Sequence, residues 1–184
     1  MTILPLVIAP DPRLKEVSKA VDVNNINDEL RSFMDDMLET MYEHHGLGLA
    51  AVQVGVLKRI LIMDIAQGSI RYDGSHDPNA SPDPLFIINP EIVESSKELF
   101  AFEEGCLSFP TQFAGVERPK KVKVKFLDYN GDEKEMTFEG LASVCIQHEI
   151  DHLDGITFVD YLSKLKKDRI LGKTKKIKKR LADG

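Results

Sequence analysis

His148-Glu149-Ile150-Asp151-His152 places two imidazoles four residues apart, with a carboxylate next to the first. On an α-helix such a pair lies about 6 Å apart on one face, so both rings can reach one metal ion at about 2.0–2.1 Å. Glu149, one step round the helix, is placed to take a proton from metal-bound water. The pattern predicts a helix from Leu141 to about Leu153. It also demands a further ligand from elsewhere in the chain. The competing reading is an exposed helix on which two histidines and a glutamate fell by accident.

Downstream residues do not supply that ligand. A third histidine six residues after His152 would suit one metalloprotease class, but the position is Phe158, and neither His nor Glu occurs after His152. Asp154, Asp160, Asp168 and Asp183 stand at unsupportive spacings. Upstream, Cys145, His148 and His152 together would span about 10 Å of helix axis, too far for one ion with bonds of about 2 Å. Cys145 therefore reads as a packed core or pocket-wall thiol. His44 and His45 close a helix and His76 lies in a polar loop, so all three read as solvated surface residues. Cys106, beside Gly105 and between apolar segments, is the preferred ligand, against the alternative of a small buried hydrophobe. A Cys-His-His set leaves a fourth position open for water, which marks a catalytic site, and its softness admits zinc or ferrous iron.

The rest of the chain predicts an α+β fold. A cap and Pro at Asp11-Pro12 open a short helix through about Ala20. A second helix starts near Asn27, with Leu30, Phe33, Met34, Met37, Leu38 and Met41 forming one stripe, and stops at Gly46. Arg59–Ile65 and Leu85–Ile88 read as buried strands. Val122, Val124 and Phe126 alternate with lysines, and Asn130-Gly131 turns that strand back toward Met136 and Phe138. Gln67–Pro84, rich in Gly, Ser, Asp, Asn and Pro, reads as a mobile surface loop. The expected architecture is short antiparallel or mixed β-sheets around a central metal-binding helix, with N-terminal helices and a C-terminal helix. With 184 residues, 42% hydrophobic and 29% charged, the chain reads as one globular domain, residues 1–184. No apolar run reaches the roughly 18–20 residues of a membrane span. The start lacks the basic and apolar regions of a secretory leader. Cys106 and Cys145 are the only cysteines, so a reducing, cytoplasmic setting is expected rather than a disulfide framework.

Charge is unevenly spread. The net charge is −6, yet ten Lys and Arg between Tyr161 and Gly184, against Asp168 and Asp183, give the tail +8 and leave −14 elsewhere. Ile170, Thr174, Ile177 and Leu181 form a narrow stripe on a last helix, with the cations on its broad face. Gly172 separates this stretch from Tyr161, Leu162 and Leu165, which are expected to dock on the domain.

Three motifs give the chain a family resemblance. Gly46-Leu47-Gly48-Leu49-Ala50-Ala51-Val52-Gln53, Glu104-Gly105-Cys106-Leu107-Ser108 and Gln147-His148-Glu149-Ile150-Asp151-His152-Leu153-Asp154-Gly155 stand in the order and spacing of the bacterial peptide deformylases, which the chain resembles nearly end to end. The resemblance implies a metal-dependent hydrolase of protein biosynthesis. Such an enzyme removes the N-formyl group from the formyl-methionine of nascent polypeptides and releases formate. It implies one divalent ion per chain on Cys106, His148 and His152, natively Fe2+, with Zn2+, Ni2+ or Co2+ in some preparations. It makes Glu149 the base and then the acid. The Gln53 side-chain amide and the Leu107 backbone N–H would stabilise the oxyanion. Leu47, Phe102, Leu141, Val144 and Cys145 would line the methionine slot. Gly46 and Gly48, with Gly105, would let the chain approach substrate, and Glu104 would brace the site. It further implies an enzyme that meets the ribosome near the tunnel exit through the basic C-terminal helix; a monomer with no membrane partner is expected. Phe113 departs from the arginine found there in many members. A general metallopeptidase with a cleft open on both sides, and a ribosome-associated module without activity, are the alternatives.

Overall fold

The computed structural model describes residues 2–66 and 81–183. Most of the expected surface loop, residues 67–80 with His76, lies outside the described residues, and 81–84 run without regular structure into a strand.

A five-stranded sheet is the frame. Its strands are β1 (Gly48–Ala50), β2 (Ile60–Met63), β3 (Leu85–Ser95), β6 (Lys121–Leu127) and β7 (Glu133–Glu139), hydrogen-bonded in that order and antiparallel throughout. Strands β4 (Leu99–Gly105) and β5 (Phe113–Pro119) form a separate antiparallel pair. Of the two expected pairing modes, the named strands thus adopt only the antiparallel one. Among the described residues the one parallel bridge, Lys19 with Lys58, lies outside them.

Helix α1 (Asp28–Glu43) begins where the Asn27 side chain accepts the Leu30 N–H at 3.0 Å, a helix N-cap. Its buried stripe of Leu30, Met34, Met37 and Met41 packs on Leu49, Ile60, Ile62 and Ile88, one face of the sheet. Helix α2 (Leu141–Leu153) packs Ile146, Ile150 and Leu153 on Leu61, Met63, Ile87 and Val124, the other face. With helices on both sides, successive β2 residues are all buried, which is why that strand is an unbroken apolar run. On β6, covered on one side, Val122, Val124 and Phe126 point inward between lysines. The β6–β7 hairpin closes through Asp128–Asp132, with Gly131 at φ +91. A third cluster gathers Val7, Ala9, Leu14, Phe109, Val116, Phe158, Val159 and Ile170. Among the described residues no helix is long and apolar enough to cross a membrane.

Several expectations need correcting. The helix predicted over 11–20 is a four-residue 3-10 turn, Pro12–Lys15. Beyond it the backbone bonds elsewhere, the Ser18 N–H to the Leu153 carbonyl and the Lys19 N–H to that of Leu57. Strand β3 runs on through Asn89-Pro90, which reads locally as a breaker. The ladder shifts register there, Asn89 takes φ +53, and its amide pairs with both backbone groups of Val21 at 2.8 Å. The β4–β5 hairpin has no clear sequence signature, because its exposed and buried residues give little apolar contrast. Helix α3 (Lys164–Asp183) passes uninterrupted through Gly172. It docks by Ile170 and Thr174, whereas Leu165 is 81% exposed and Tyr161 half-exposed.

Candidate metal centre

Two segments deliver the candidate ligand set. Helix α2 contributes His148 and His152, and the turn that ends β4 contributes Cys106. Their ligand atoms all lie within 4.8 Å of one another, with Cys106 Sγ 3.2 Å from His152 Nε2. The donors fit a divalent ion. A thiolate and two imidazoles bind transition metals, and His148 Nδ1 is engaged at 2.8 Å by Glu104, leaving Nε2 for an ion. His152 is held well below the ordinary histidine range by burial and by His148, and so stays neutral as a ligand must. Burial opposes protonation of His148 as well, but the Cys106 and Glu104 bonds pull its pKa well up. A cation in the cluster would replace that attracted proton.

Glu104 is 3% exposed, and both its oxygens are committed. The Arg118 guanidinium donates to it in a fork at 2.5 and 3.0 Å and reaches Asp151 at 2.7 Å. Burial alone would raise the Glu104 pKa, but His148 and Arg118 bring it below the usual range. Tyr161 completes this brace, donating its hydroxyl to Asp151 at 2.8 Å with its ring 4.8 Å from the guanidinium carbon. Arg118 sits on a strand that looks polar and solvated in sequence, and its place beneath the histidines has no local signal.

Glu149 is 4% exposed, and its Oε2 has no hydrogen-bond partner among the described residues. Burial pushes its carboxyl up to about 7, with His148 pulling the other way. A group with that affinity can both take and return a proton near neutral pH. The reason for Gly48 is now visible. A Cβ there would stand 2.6 Å from Glu149 Oε1, so the glycine leaves room for the carboxylate. Gln53, 1% exposed, is locked by the Ala50 N–H on its Oε1 at 2.8 Å. That aims Nε2 at Cys106 Sγ, 3.4 Å away, and at Ser108 Oγ, 3.3 Å away.

A cleft of about 820 Å³ opens beside this cluster. Gly46, Leu47, Gly48, Gln53, Phe102, Glu104, Gly105, Cys106, Leu107, Leu141, Val144, Cys145, His148 and Glu149 all line it, while His152 does not. Cys145 stands apart from the ligand atoms, as the helix arithmetic requires. Its Sγ approaches the Leu47 carbonyl at 3.6 Å, and burial, with Glu149 adding, keeps the thiol protonated. His44 and His45 are exposed, as expected, and they also line the cleft, as do Leu6, Ile8, Thr111, Phe113 and Leu181. These come from both chain ends, two turns and the start of β5, and no spacing in the sequence links them.

The family description Polypeptide deformylase matches residues 3–168. A peptide deformylase of Maricaulis maris is 49% identical over 179 residues, covering 97% of this chain and 96% of the relative. Peptide deformylase 1 of Rickettsia conorii is 50% identical over 181 residues, covering 97% and 98%. The crystal structure of the Ehrlichia chaffeensis peptide deformylase superposes with a TM-score of 0.86 at 42% identity, over 97% of this chain and 98% of that one.

Proposed function

The chain belongs to the polypeptide deformylase family, and from that premise we propose how its own residues carry out the reaction. The protein is a metal-dependent amide hydrolase that removes the N-formyl group from the formyl-methionine of nascent polypeptides and releases formate. In our reading Cys106, His148 and His152 hold one divalent ion, ferrous iron in the cell. When bound, such an ion lowers the pKa of a water from 15.7 to about 7 and polarises the formyl oxygen.

Glu149 accepts the proton of the attacking water at its unpartnered Oε2. The water oxygen bonds to the formyl carbon, and the carbonyl pair moves onto the formyl oxygen. Gln53 Nε2 and the Leu107 N–H donate to that oxyanion, and losing one such donor typically costs about 10²–10³ in rate. As the C–N bond breaks, Glu149 returns the proton to the departing amine, leaving formate and a free methionine N-terminus. Arg118 and Glu104 hold the His148 ring in its ligand orientation. Leu47, Phe102, Leu141, Val144 and Cys145 provide an unbranched apolar slot for methionine.

The observation that carries this reading is the juxtaposition of three ligand atoms within 4.8 Å with an orphaned carboxylate oxygen on one cleft. The test is anaerobic purification with metal quantification and formate release from formyl-Met-Ala-Ser in one sample. Stoichiometric metal with formate release is expected, and cleavage inside the peptide would overturn it. An iron-loaded sample should lose activity in air faster than a nickel-loaded one, because ferrous iron beside a thiolate invites oxidation of both. Equal durability would remove iron from the assignment.

We place this activity in a single-domain, monomeric enzyme of the cytoplasm that works beside the ribosome. Ile170 and Thr174 dock α3, and Lys178 reaches Asp11 at 3.3 Å, while Lys173, Lys175, Lys176, Lys179 and Arg180 face solvent. On a body of net charge −14 these five cations suit a phosphate backbone. Replacing them with glutamine should abolish salt-sensitive ribosome binding and spare turnover of a free peptide. Undiminished binding at low salt would end the ribosome role. Truncation at Gly172 is the poorer test, because it removes the fully buried Thr174.

A further inference from the structure

The last turn of α3 returns to the cleft that holds the metal centre. Leu181 lines this cleft while remaining 65% exposed. It is not needed to dock the helix, which Ile170, Thr174 and the Lys178–Asp11 pair accomplish. Nor does solubility call for a leucine beside Lys178, Lys179 and Arg180. Three chain segments meet at this part of the wall. Asp11, which anchors Lys178, lies three residues beyond Ile8, another lining residue. The Ala9 N–H donates to the Ser108 carbonyl at 2.9 Å, tying that segment to the turn that carries Cys106 and Thr111. Phe113 adds a second exposed apolar side chain, its ring so close over Gly105 that a Cβ there would lie 2.6 Å away.

These residues stand on elements other than those of the methionine slot, which α2, β4 and the Gly46–Gly48 segment build. A cleft of 820 Å³ is much larger than one formyl-methionyl unit. An extended chain advances about 3.3–3.6 Å per residue, so a substrate continuing past its methionine must pass along the remaining wall.

We infer that Leu181, with Ile8 and Phe113, forms an apolar subsite for a side chain in the two positions after the formyl-methionine, making the C-terminal helix a specificity-determining part of substrate recognition. The inference rests on the deformylase reading. The occupant is the substrate chain itself, because the subsite is continuous with the reacting end of the cleft.

The test compares formyl-Met-Ala-Ser with formyl-Met-Leu-Ser and formyl-Met-Ala-Leu, measuring formate release by the metal-loaded enzyme. The wild type should favour at least one leucyl peptide in kcat/KM. In Leu181→Asp that preference should fall about fivefold to tenfold, through KM with kcat held. Leu181→Ala, which keeps helix propensity, should shift it less in the same direction. Leu165→Asp, a charge on an exposed leucine of the same helix outside the cleft, should leave the preference as it was. A preference unchanged in Leu181→Asp, or a loss shared equally by all three peptides with a fall in Tm, overturns the subsite. No formate from any peptide with wild-type enzyme overturns the deformylase reading itself and the subsite with it.

Discussion

Helices α2 and α3 both carry the charged or titratable groups on which the proposed functions rest, yet they sit in opposite environments. Ten of the thirteen residues of α2 are buried. Among the described residues of α3, only Ile170 and Thr174 are. On α2 each polar group has its partners assigned by the fold, as with His148 by Glu104 and Asp151 by Arg118 and Tyr161. Glu149 Oε2 and His152 Nδ1 are the exceptions, and the spare carboxylate oxygen is the one the proposed reaction uses. On α3 the lysines are solvated, each worth little to folding, and together they act as a field. In the proposed function a charge on α2 therefore does chemistry at one atom, whereas a charge on α3 matters through number and sign.

The sharpest way to break this contrast is at Glu149. Glu149→Ala should keep the metal and lose about 10²–10⁴ in turnover, read by metal analysis and formate release on one sample. His148→Ala or His152→Ala should lose both. Full activity in Glu149→Ala would sink the mechanism.

Next comes the brace. Arg118→Met leaves the buried Glu104 carboxylate without its fork and should destabilise the protein by about 3–5 kcal/mol, measured by urea unfolding. A loss below about 1 kcal/mol would mean that α2 is as well hydrated as α3. At Gly48 the effect should fall on rate rather than stability. Gly48→Ala forces the Glu149 carboxylate aside, and a shift of about 1 Å can cost 10²-fold. Retained metal with a lower kcat is expected, and wild-type kcat would show that the carboxylate has room to move.

The junction between the helices supplies a smaller, pH-dependent effect. Burial of Asp160 works to raise its pKa, but Lys15, Lys167 and Thr157 hydrogen-bond its carboxylate and hold it well below the usual range. A depressed folded pKa contributes stability that is present above the unfolded value near 3.9 and lost as pH falls toward the folded one. Asp160→Asn should therefore flatten the acid side of the stability profile between about pH 5 and pH 2, followed by Tm. An unchanged acid limb would place the loss in other carboxylates. The smallest effect belongs to the exposed face of α3, where Lys175→Ala should change stability by no more than about 0.5 kcal/mol.

What the sequence determined alone were features written in a few neighbouring residues. The spacing of His148 and His152, the stripe of α1 and the alternation of β6 all follow from a local period, and each appears in the structure where that period puts it. Cys106 was legible as a ligand candidate, by elimination and by motif. That its sulfur lies 3.2 Å from a His152 nitrogen 46 residues on depends on how the strand pairs stack against α2. Arg118 under Glu104, Gly48 against Glu149 and Leu181 on the cleft are decisions of the same kind. No local pattern encodes them, because each is a contact between distant segments whose separation is set by sheet register and helix docking. The short turn at Pro12–Lys15 and the bulge at Asn89 show the converse. There the backbone hydrogen bonds offered by distant partners outweighed the local preference for helix or for a break.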